Sequence, residues 1–417
     1  MTSSPRYLTS EIPPVPGIIK QRPEDFYVEE LPAYEPCGEG EHLYLLIQKQ
    51  DRTTLDVAAD LARHFDVKRS AVGYAGLKDA RAVTRQMFSV YLPGKDENSY
   101  GELHLQGAEV LWTDRHTNKL RRGHLKGNRF VIRLRDVQLA HVIQTEEVMR
   151  ILEKKGVPNR FGPQRFGMRG NNDLLGRLLL LNDARGFINA LLGPDEIHPD
   201  DCPESRAAFA AGDYRKALNL LPRSRKTESR VLKMLASGRR PKQAVKAMDD
   251  ATGRLYISAF QSRLFNKVLD ERIAAGTFTT LEQGDIAFRH DNGASFRILN
   301  IAEQQSEREE LAARMGRMEI SPTGPMFGPA MMSAEGKIKE LEDDIINQSD
   351  VTADHFNSCD LVKGTRQLGE RRPLRAPVRD YMVEAGYDEF GNYIKCAFEL
   401  PRGSYATAVL SEIIKSA

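Results

Sequence analysis

The chain has 417 residues, of which 41% are hydrophobic and 28% charged, and its formal net charge is +2. These values exclude an intrinsically disordered chain and fit a globular protein of two or three domains. No apolar run is long enough without a charge to span a bilayer, and the start lacks the apolar centre of a secretory signal, so no membrane association and a cytoplasmic location are expected.

Cys37, Cys202, Cys359 and Cys396 form no C-x-x-C pair, and the nine histidines form no H-E-x-x-H or deaminase-type set. Reduced cysteines and no metal are therefore expected. No G-x-x-x-x-G-K-[ST] or G-x-G-x-x-G motif follows a strand-like run, which argues against a nucleotide-dependent enzyme.

In chain order, Phe26-Tyr27-Val28 and Leu43 to Ile47 read as strands. Thr53 or Thr54 is placed to cap a helix through Leu55, Val57, Ala58, Leu61 and Phe65, whose spacing gives one apolar face. Strands are expected over Ala71 to Leu77 and Gln86 to Leu92, with Gly76-Leu77-Lys78-Asp79 leading into the loop between them. Taken alone, a carboxylate there belongs to an ordinary solvated turn. Its companions elsewhere in the chain change that reading.

From Phe130 to Val137 the sequence alternates, with Phe130, Ile132 and Leu134 on one side. If the strand starts at Asn128, its amide shares that side with the Phe130 ring, a pair suited to hydrogen-bonding and stacking a nucleobase. Arg115 to Arg129 carries six basic residues and no acid among them, and further basic stretches run from Arg215 to Lys242 and from Arg366 to Arg379. Such runs suit a solvated face or a surface that follows a phosphate backbone.

A helix is expected over Ile143 to Lys155. Beyond Pro158 helical spacing dominates, over Leu174 to Leu192, Arg206 to Leu221, Glu228 to Ser237, Lys242 to Met248 and Thr252 to Ala275, with a small β portion near Leu281 to Leu299 and an exposed helix over Glu303 to Arg317. Strand composition returns at Tyr393 to Leu400, before a helix from Ala406 to Lys415. The N-terminal part has too little chain to close a large sheet alone. The C-terminal strand is thus expected to rejoin it, giving an α+β protein with a catalytic domain at residues 1–157 and 360–417 and a mostly helical insertion at 158–359.

Six segments together resemble the TruD family of pseudouridine synthases, in order along most of the chain. They are Pro23-Glu24-Asp25-Phe26, Gly76 to Gln86, Lys119-Leu120-Arg121-Arg122-Gly123, Gly127-Asn128-Arg129-Phe130, Asn159 to Gly167, and Gly403-Ser404-Tyr405-Ala406-Thr407. The resemblance implies isomerisation of uridine to pseudouridine in tRNA, by default at uridine 13. It also implies a pseudouridine synthase catalytic domain with a mixed or antiparallel sheet, an inserted TRUD domain, and a monomer needing no obligate protein partner. It makes Asp79 the catalytic residue and Phe26, Asn128 and Tyr405 the substrate contacts. Some relatives carry Phe where this chain has Tyr405.

The reaction breaks the C1′–N1 bond, turns the base and joins C5 to C1′, so it conserves atoms and needs no redox cofactor. An aspartate is ionised at neutral pH and needs no separate base to activate it. Lys78, or Lys20 from the N-terminal motif, is placed to support that charge. Both a covalent route and a glycal route through the 2′ hydrogen suit the residues. Phe26, Phe130 and Tyr405 are candidate stacking rings, each worth roughly 1–3 kcal/mol per base. A non-catalytic RNA-binding or RNA-chaperone protein would share the basic runs and aromatics, but would not require Asp79 with Lys78, Thr84 and Gln86.

Overall fold

A computed structural model describes residues 5–95, 97–298, 305–362 and 367–415, so Glu303, Leu299 and Arg366 of the expected segments lie outside the described residues. The chain divides into two compact units, one of Tyr7–Val157 with Ala376–Ala417, the other of Pro158–Arg375 with residues 5–6. The first unit resumes at residue 376 rather than 360. The reason is that Glu370–Pro373 forms a strand of the inserted unit, pairing antiparallel with Thr323 to Met326.

The first unit contains β1 (Phe26–Pro32), β2 (His42–Gln50), α1 (Thr54–His64), β3 (Val72–Tyr74), β4 (Val83–Tyr91), β5 (Ala108–His116), β6 (Leu125–Arg135), α2 (His141–Lys155), β7 (Arg379–Asp388), β8 (Gly391–Pro401) and α3 (Ala406–Ile414). Its eight strands form one mixed sheet in the order β7-β8-β6-β1-β4-β2-β5, with β3 beside β4. Only β1 and β4 pair in parallel among the described strands of this sheet. The C-terminal strand does rejoin the N-terminal sheet, as β8 lies against β6 from Tyr393↔Arg135 to Pro401↔Gly127. Gly127 permits that approach, because a Cβ there would come 2.2 Å from the Leu400 carbonyl oxygen.

Register sorts the side chains of one sheet face into two apolar cores. Leu43, Leu45 and Ile47 of β2 and Phe88 and Val90 of β4 pack with Val57, Ala58 and Leu61 of α1. Phe26 and Val28 of β1, Phe130 and Ile132 of β6, and Cys396 and Phe398 of β8 pack with Val148 and Leu152 of α2 and Val409 and Ile413 of α3. Each large apolar side chain buried this way contributes about 1.5–3 kcal/mol relative to exposure. Thr53 starts α1 with a capping box, accepting from Asp56 N at 3.1 Å while its own N–H donates to Asp56 at 3.2 Å.

Where the two cores part, the same face turns polar. Lys49 (1% exposed), Thr84 (0%), Gln86 (0%) and Glu30 (6%) are all buried there. Lys49 lies opposite Thr84, Thr84 opposite Val28, and Glu30 opposite Asn128. Buried polar groups are costly unless partnered; Lys49, Gln86 and Glu30 direct theirs to one loop, while Thr84 Oγ1 has no partner among the described residues.

The inserted unit is mostly helical. Its core gathers Leu179, Phe187, Leu191, Val231, Leu232, Ile257 and Leu264. Two of the expected helices are each broken in two. Asn182 at φ 55° and Asp183, which accepts from Gly186 N at 2.9 Å, separate Asn172–Leu180 from Ala184–Leu192. Gly212 at φ 80° and Asp213, which accepts from Lys216 N at 2.9 Å, separate Pro203–Ala210 from Tyr214–Leu220. A left-handed residue followed by an N-cap stops one helix and starts the next. Four strands form a separate sheet in which Ile320–Met326 lies between Glu370–Pro373 and Ile286–Arg289, with Ser295–Arg297 outermost. Among the described residues, no helix is long and apolar enough to cross a membrane.

Candidate active site

The loop between β3 and β4 is tied down at Gly76, Lys78 and Asp79 by the polar seam and α1. Gln86 Nε2 donates to the Gly76 carbonyl at 3.2 Å. Thr54 Oγ1 accepts the Lys78 N–H at 2.9 Å and donates to Gln86 Oε1 at 2.8 Å. Lys78 Nζ pairs with Glu30 Oε2 at 2.7 Å, and Lys49 Nζ donates to the Asp79 carbonyl at 3.0 Å and to the Arg52 carbonyl at 2.7 Å. Burial pushes the Lys49 ammonium down to about 8.

With its backbone held below, Asp79 presents a carboxylate whose side chain is 45% exposed. Its ion-pair partner is Lys20, whose Nζ also lies 4.2 Å from the centroid of the Phe26 ring. Lys20 sits at φ 54°, a left-handed conformation that costs a non-glycine residue of order 1–3 kcal/mol. Just before it, Ile18 exchanges both backbone hydrogen bonds with Arg135, each at 2.9 Å. That bridge fixes where the Lys20 turn begins.

Asp25 of the N-terminal motif has a structural task. Its Oδ1 accepts from Arg135 Nε at 3.0 Å and Nη2 at 2.7 Å, while the same guanidinium binds Asp388 at 2.6 and 2.9 Å. Arg135 holds the Asp388 carboxyl down at about 2. The network joins the start of β1, the end of β6 and the β7–β8 hairpin, and so places Phe26.

Phe26 and Phe130 meet edge to face with ring centroids 6.4 Å apart, and Phe130 also lies 5.6 Å from Phe398. Both are largely buried, at 3% and 7% exposure, whereas Tyr405 at the start of α3 is 44% exposed. Asn128 stands on β6 between Glu30 and Leu400, and its Oδ1 is buried with no hydrogen-bond partner. The structure thus links Asp79 to Lys20, Lys20 to the Phe26 ring and Phe26 to Phe130, and puts Asn128 on the seam's row. Lys78 is turned away to Glu30 and does not provide the charge support for Asp79.

Lys49, Glu30 and Thr54 were not among the expected site residues. The first two had a readable signal, since Lys49 is in phase with the buried Leu45 and Ile47, and Glu30 with Phe26 and Val28. A charge on the buried phase of a strand needs an inward partner.

Basic residues outside this centre fall into two groups. Arg121 and Arg122 are exposed, and Arg121 lines a cleft of about 410 Å³ with Lys119, Asn118, His116, His124 and Tyr34. In the inserted unit Arg160, Arg165, Arg371 and Arg372 are bound internally, whereas Arg215, Arg223, Arg239 and Arg240 are exposed. Arg160 binds Asp270 at 2.6 and 3.0 Å, Arg371 binds Glu342 at 2.7 and 2.9 Å, Arg372 donates to Asn159 Oδ1 at 2.6 Å, and Arg165 donates to Ser258 and Ser262. These bonds give Arg160 and Arg165 of the Asn159 to Gly167 segment partners within the inserted unit.

The family described as tRNA pseudouridine synthase D (TruD) matches residues 4–413. Relatives carrying the name tRNA pseudouridine synthase D include one from Geotalea daltonii, 42% identical over 98% of this chain and 99% of its own, and one from Geobacter sulfurreducens, 42% identical over 98% and 97%. Another, from Thermus thermophilus, is 36% identical over 98% of this chain and 92% of its own. The crystal structure of a tRNA pseudouridine synthase D from Methanosarcina mazei superposes with a TM-score of 0.81 at 25% identity, covering 99% of this chain and 96% of that one. The α+β architecture with its helical insertion is therefore that of the TruD family of pseudouridine synthases, to which this chain belongs and whose members are isomerases.

Proposed function

We propose that the protein converts uridine 13 of tRNA to pseudouridine, with Asp79 as the nucleophile. The observation that carries this reading is the disposition of Asp79, which has its backbone fixed by buried groups and its carboxylate exposed beside Lys20 and Phe26. In the reaction the Asp79 carboxylate attacks C1′ and N1 leaves with the electron pair of the glycosidic bond. The freed base turns, C5 bonds to C1′ as the carboxylate departs, and loss of the C5 proton restores the ring.

The other residues serve that sequence. The Lys20 ammonium orients the carboxylate while leaving it open to the sugar. Phe26 and Tyr405 flank the flipped base, with the Phe130 edge behind them. The unpartnered Asn128 Oδ1 accepts the uracil N3–H, which relieves a buried orphan acceptor. Arg121, Arg122 and the cleft beside them follow the RNA backbone.

Tritium release from C5-labelled uridine in bulk tRNA, with the modified position mapped afterwards, tests the reading. Release is expected with pseudouridine at position 13, and it is expected to vanish in Asp79→Ala and Asp79→Asn. Conversion at wild-type rate in both variants would remove Asp79 from the chemistry. A primary isotope effect from deuterium at the 2′ carbon would assign the glycal route in place of covalent attack.

A further inference from the structure

We propose that Lys49 is a positioning residue of this reaction, its buried ammonium gripping the Asp79 backbone from beneath so that the carboxylate stands at a fixed height and angle to the sugar. The inference rests on the Asp79 reading above.

Lys49 is the least expected residue of its strand. It continues the buried phase of Leu43, Leu45 and Ile47 and is itself 1% exposed. A buried charge ordinarily requires a carboxylate partner. Lys49 has none within ion-pair distance among the described residues, and its ammonium is met by two backbone carbonyls, those of Asp79 and Arg52. Those carbonyls belong to the catalytic loop and to the turn that leads into α1. One side chain therefore ties β2, that turn and the loop together at Asp79.

The companion bonds show why this grip matters. Gln86, Thr54 and Lys78 fix the loop at Gly76 and Lys78, on the N-terminal side of Asp79. Past Asp79, the Ala82 N–H turns back to the Ala80 carbonyl at 2.9 Å and the chain enters β4. Lys49 supplies the contact at Asp79 itself. With Lys20 on the carboxylate and Lys49 on the carbonyl, the residue is held at both ends. Misplacement of a reacting group by about 1 Å costs on the order of 100-fold in rate, so a mobile Asp79 backbone would be read directly in the chemical step.

The charge also acts across the loop. Burial brings its titration down to about 8, with Lys78 acting in the same direction and the carboxylates of Asp79 and Asp56 opposing it. Lys20 faces the same Asp79 carboxylate from the solvent side.

The test is single-turnover tritium release from a C5-labelled tRNA transcript, with transcript affinity and thermal unfolding measured in parallel, for wild type, Lys49→Met and Lys49→Gln. Lys49→Met is expected to lower the rate constant by roughly 30- to 300-fold while Kd stays within about twofold. Lys49→Gln, which can still donate to a carbonyl, is expected to regain about tenfold of that loss. The wild-type rate is expected to decline above pH 8 as the Lys49 charge is lost, and the Lys49→Gln rate is expected not to.

A Lys49→Met enzyme at a third or more of the wild-type rate would overturn the proposal, as would rate and affinity falling together. If Lys49→Met does not fold, Lys49→Gln decides, and a Gln variant with both the rate and the pH response of wild type overturns it. Asp79→Asn is the control for the underlying reading. An active Asp79→Asn removes that reading whatever Lys49 shows, whereas an inactive Asp79→Asn beside an undiminished Lys49→Met removes only the positioning role.

Discussion

Lys78 and Glu30 form a closed ion pair, Nζ to Oε2 at 2.7 Å, with their side chains only 6% and 2% exposed. The lysine next to Asp79 is thus committed to the sheet. Glu30 Oε1 additionally accepts the Met87 N–H at 3.4 Å, so a single carboxylate joins β1, β4 and the loop.

Breaking this pair should be a stability defect first. Glu30→Gln leaves the Lys78 ammonium buried without its counter-charge, and a loss of about 3–5 kcal/mol in unfolding free energy is expected. Replacing both, as Glu30→Gln with Lys78→Met, should recover at least half of that loss. Urea titration of the three proteins checks this, and a double variant no better than Glu30→Gln would count against a closed pair.

Asn128 should behave in the opposite way. Its Oδ1 is buried and unpartnered, so Asn128→Leu removes no hydrogen bond made by that oxygen and should change stability by less than about 1 kcal/mol. An amide that accepts from the uracil edge should instead show in kcat/KM, with a decrease of roughly 10- to 100-fold. A large stability loss with unchanged kcat/KM would give Asn128 a structural task.

Arg121 and Arg122 are exposed, and their contribution should be read in the salt dependence of RNA binding. Replacing both by Ala should lower the slope of log Kd against log salt by about 1.4–1.8, since each lost phosphate contact removes about 0.7–0.9. The variant should bind more weakly at low salt and approach wild type as salt rises. An unchanged slope would place these side chains outside the RNA path.

Local sequence carried the fold where side chain and backbone agreed. The capping Thr53, the alternation from Phe130 to Leu134 and the return of a strand near Tyr393 all correspond to elements found. It failed where an element owes its place to a distant partner. The edge strand β7 is half exposed and charged along its length, so its identity comes from pairing with β8. Likewise Glu370–Pro373 falls in a basic stretch with no strand signal, and its strand character depends on Ile320–Met326. The site shows the same split: Asp79 stands out by its loop and neighbours, but which lysine serves it is fixed by the third dimension. Lys78 is adjacent in sequence and bound to Glu30, while Lys20 arrives from 59 residues away.

Lys49 finally separates stability from activity along the pH axis. Burial lowers its value from 10.5 to about 8, so the folded protein releases a proton that the unfolded chain keeps until near 10.5. Between these values the unfolded state binds more protons, and the contribution of this group to stability therefore rises with pH through that window. Below pH 8 the folded state carries the full penalty of the buried charge, about 3 kcal/mol. Lys49→Met lacks this dependence, so the stability of wild type relative to the variant should climb from pH 8 to 10, while the wild-type rate of pseudouridine formation falls over the same range. Urea titrations at pH 7.5, 8.5 and 9.5 measure the first trend, and tritium release at the same values measures the second. A stability difference that is flat with pH would show that Lys49 titrates in the folded protein as it does in the unfolded chain, and would overturn the prediction.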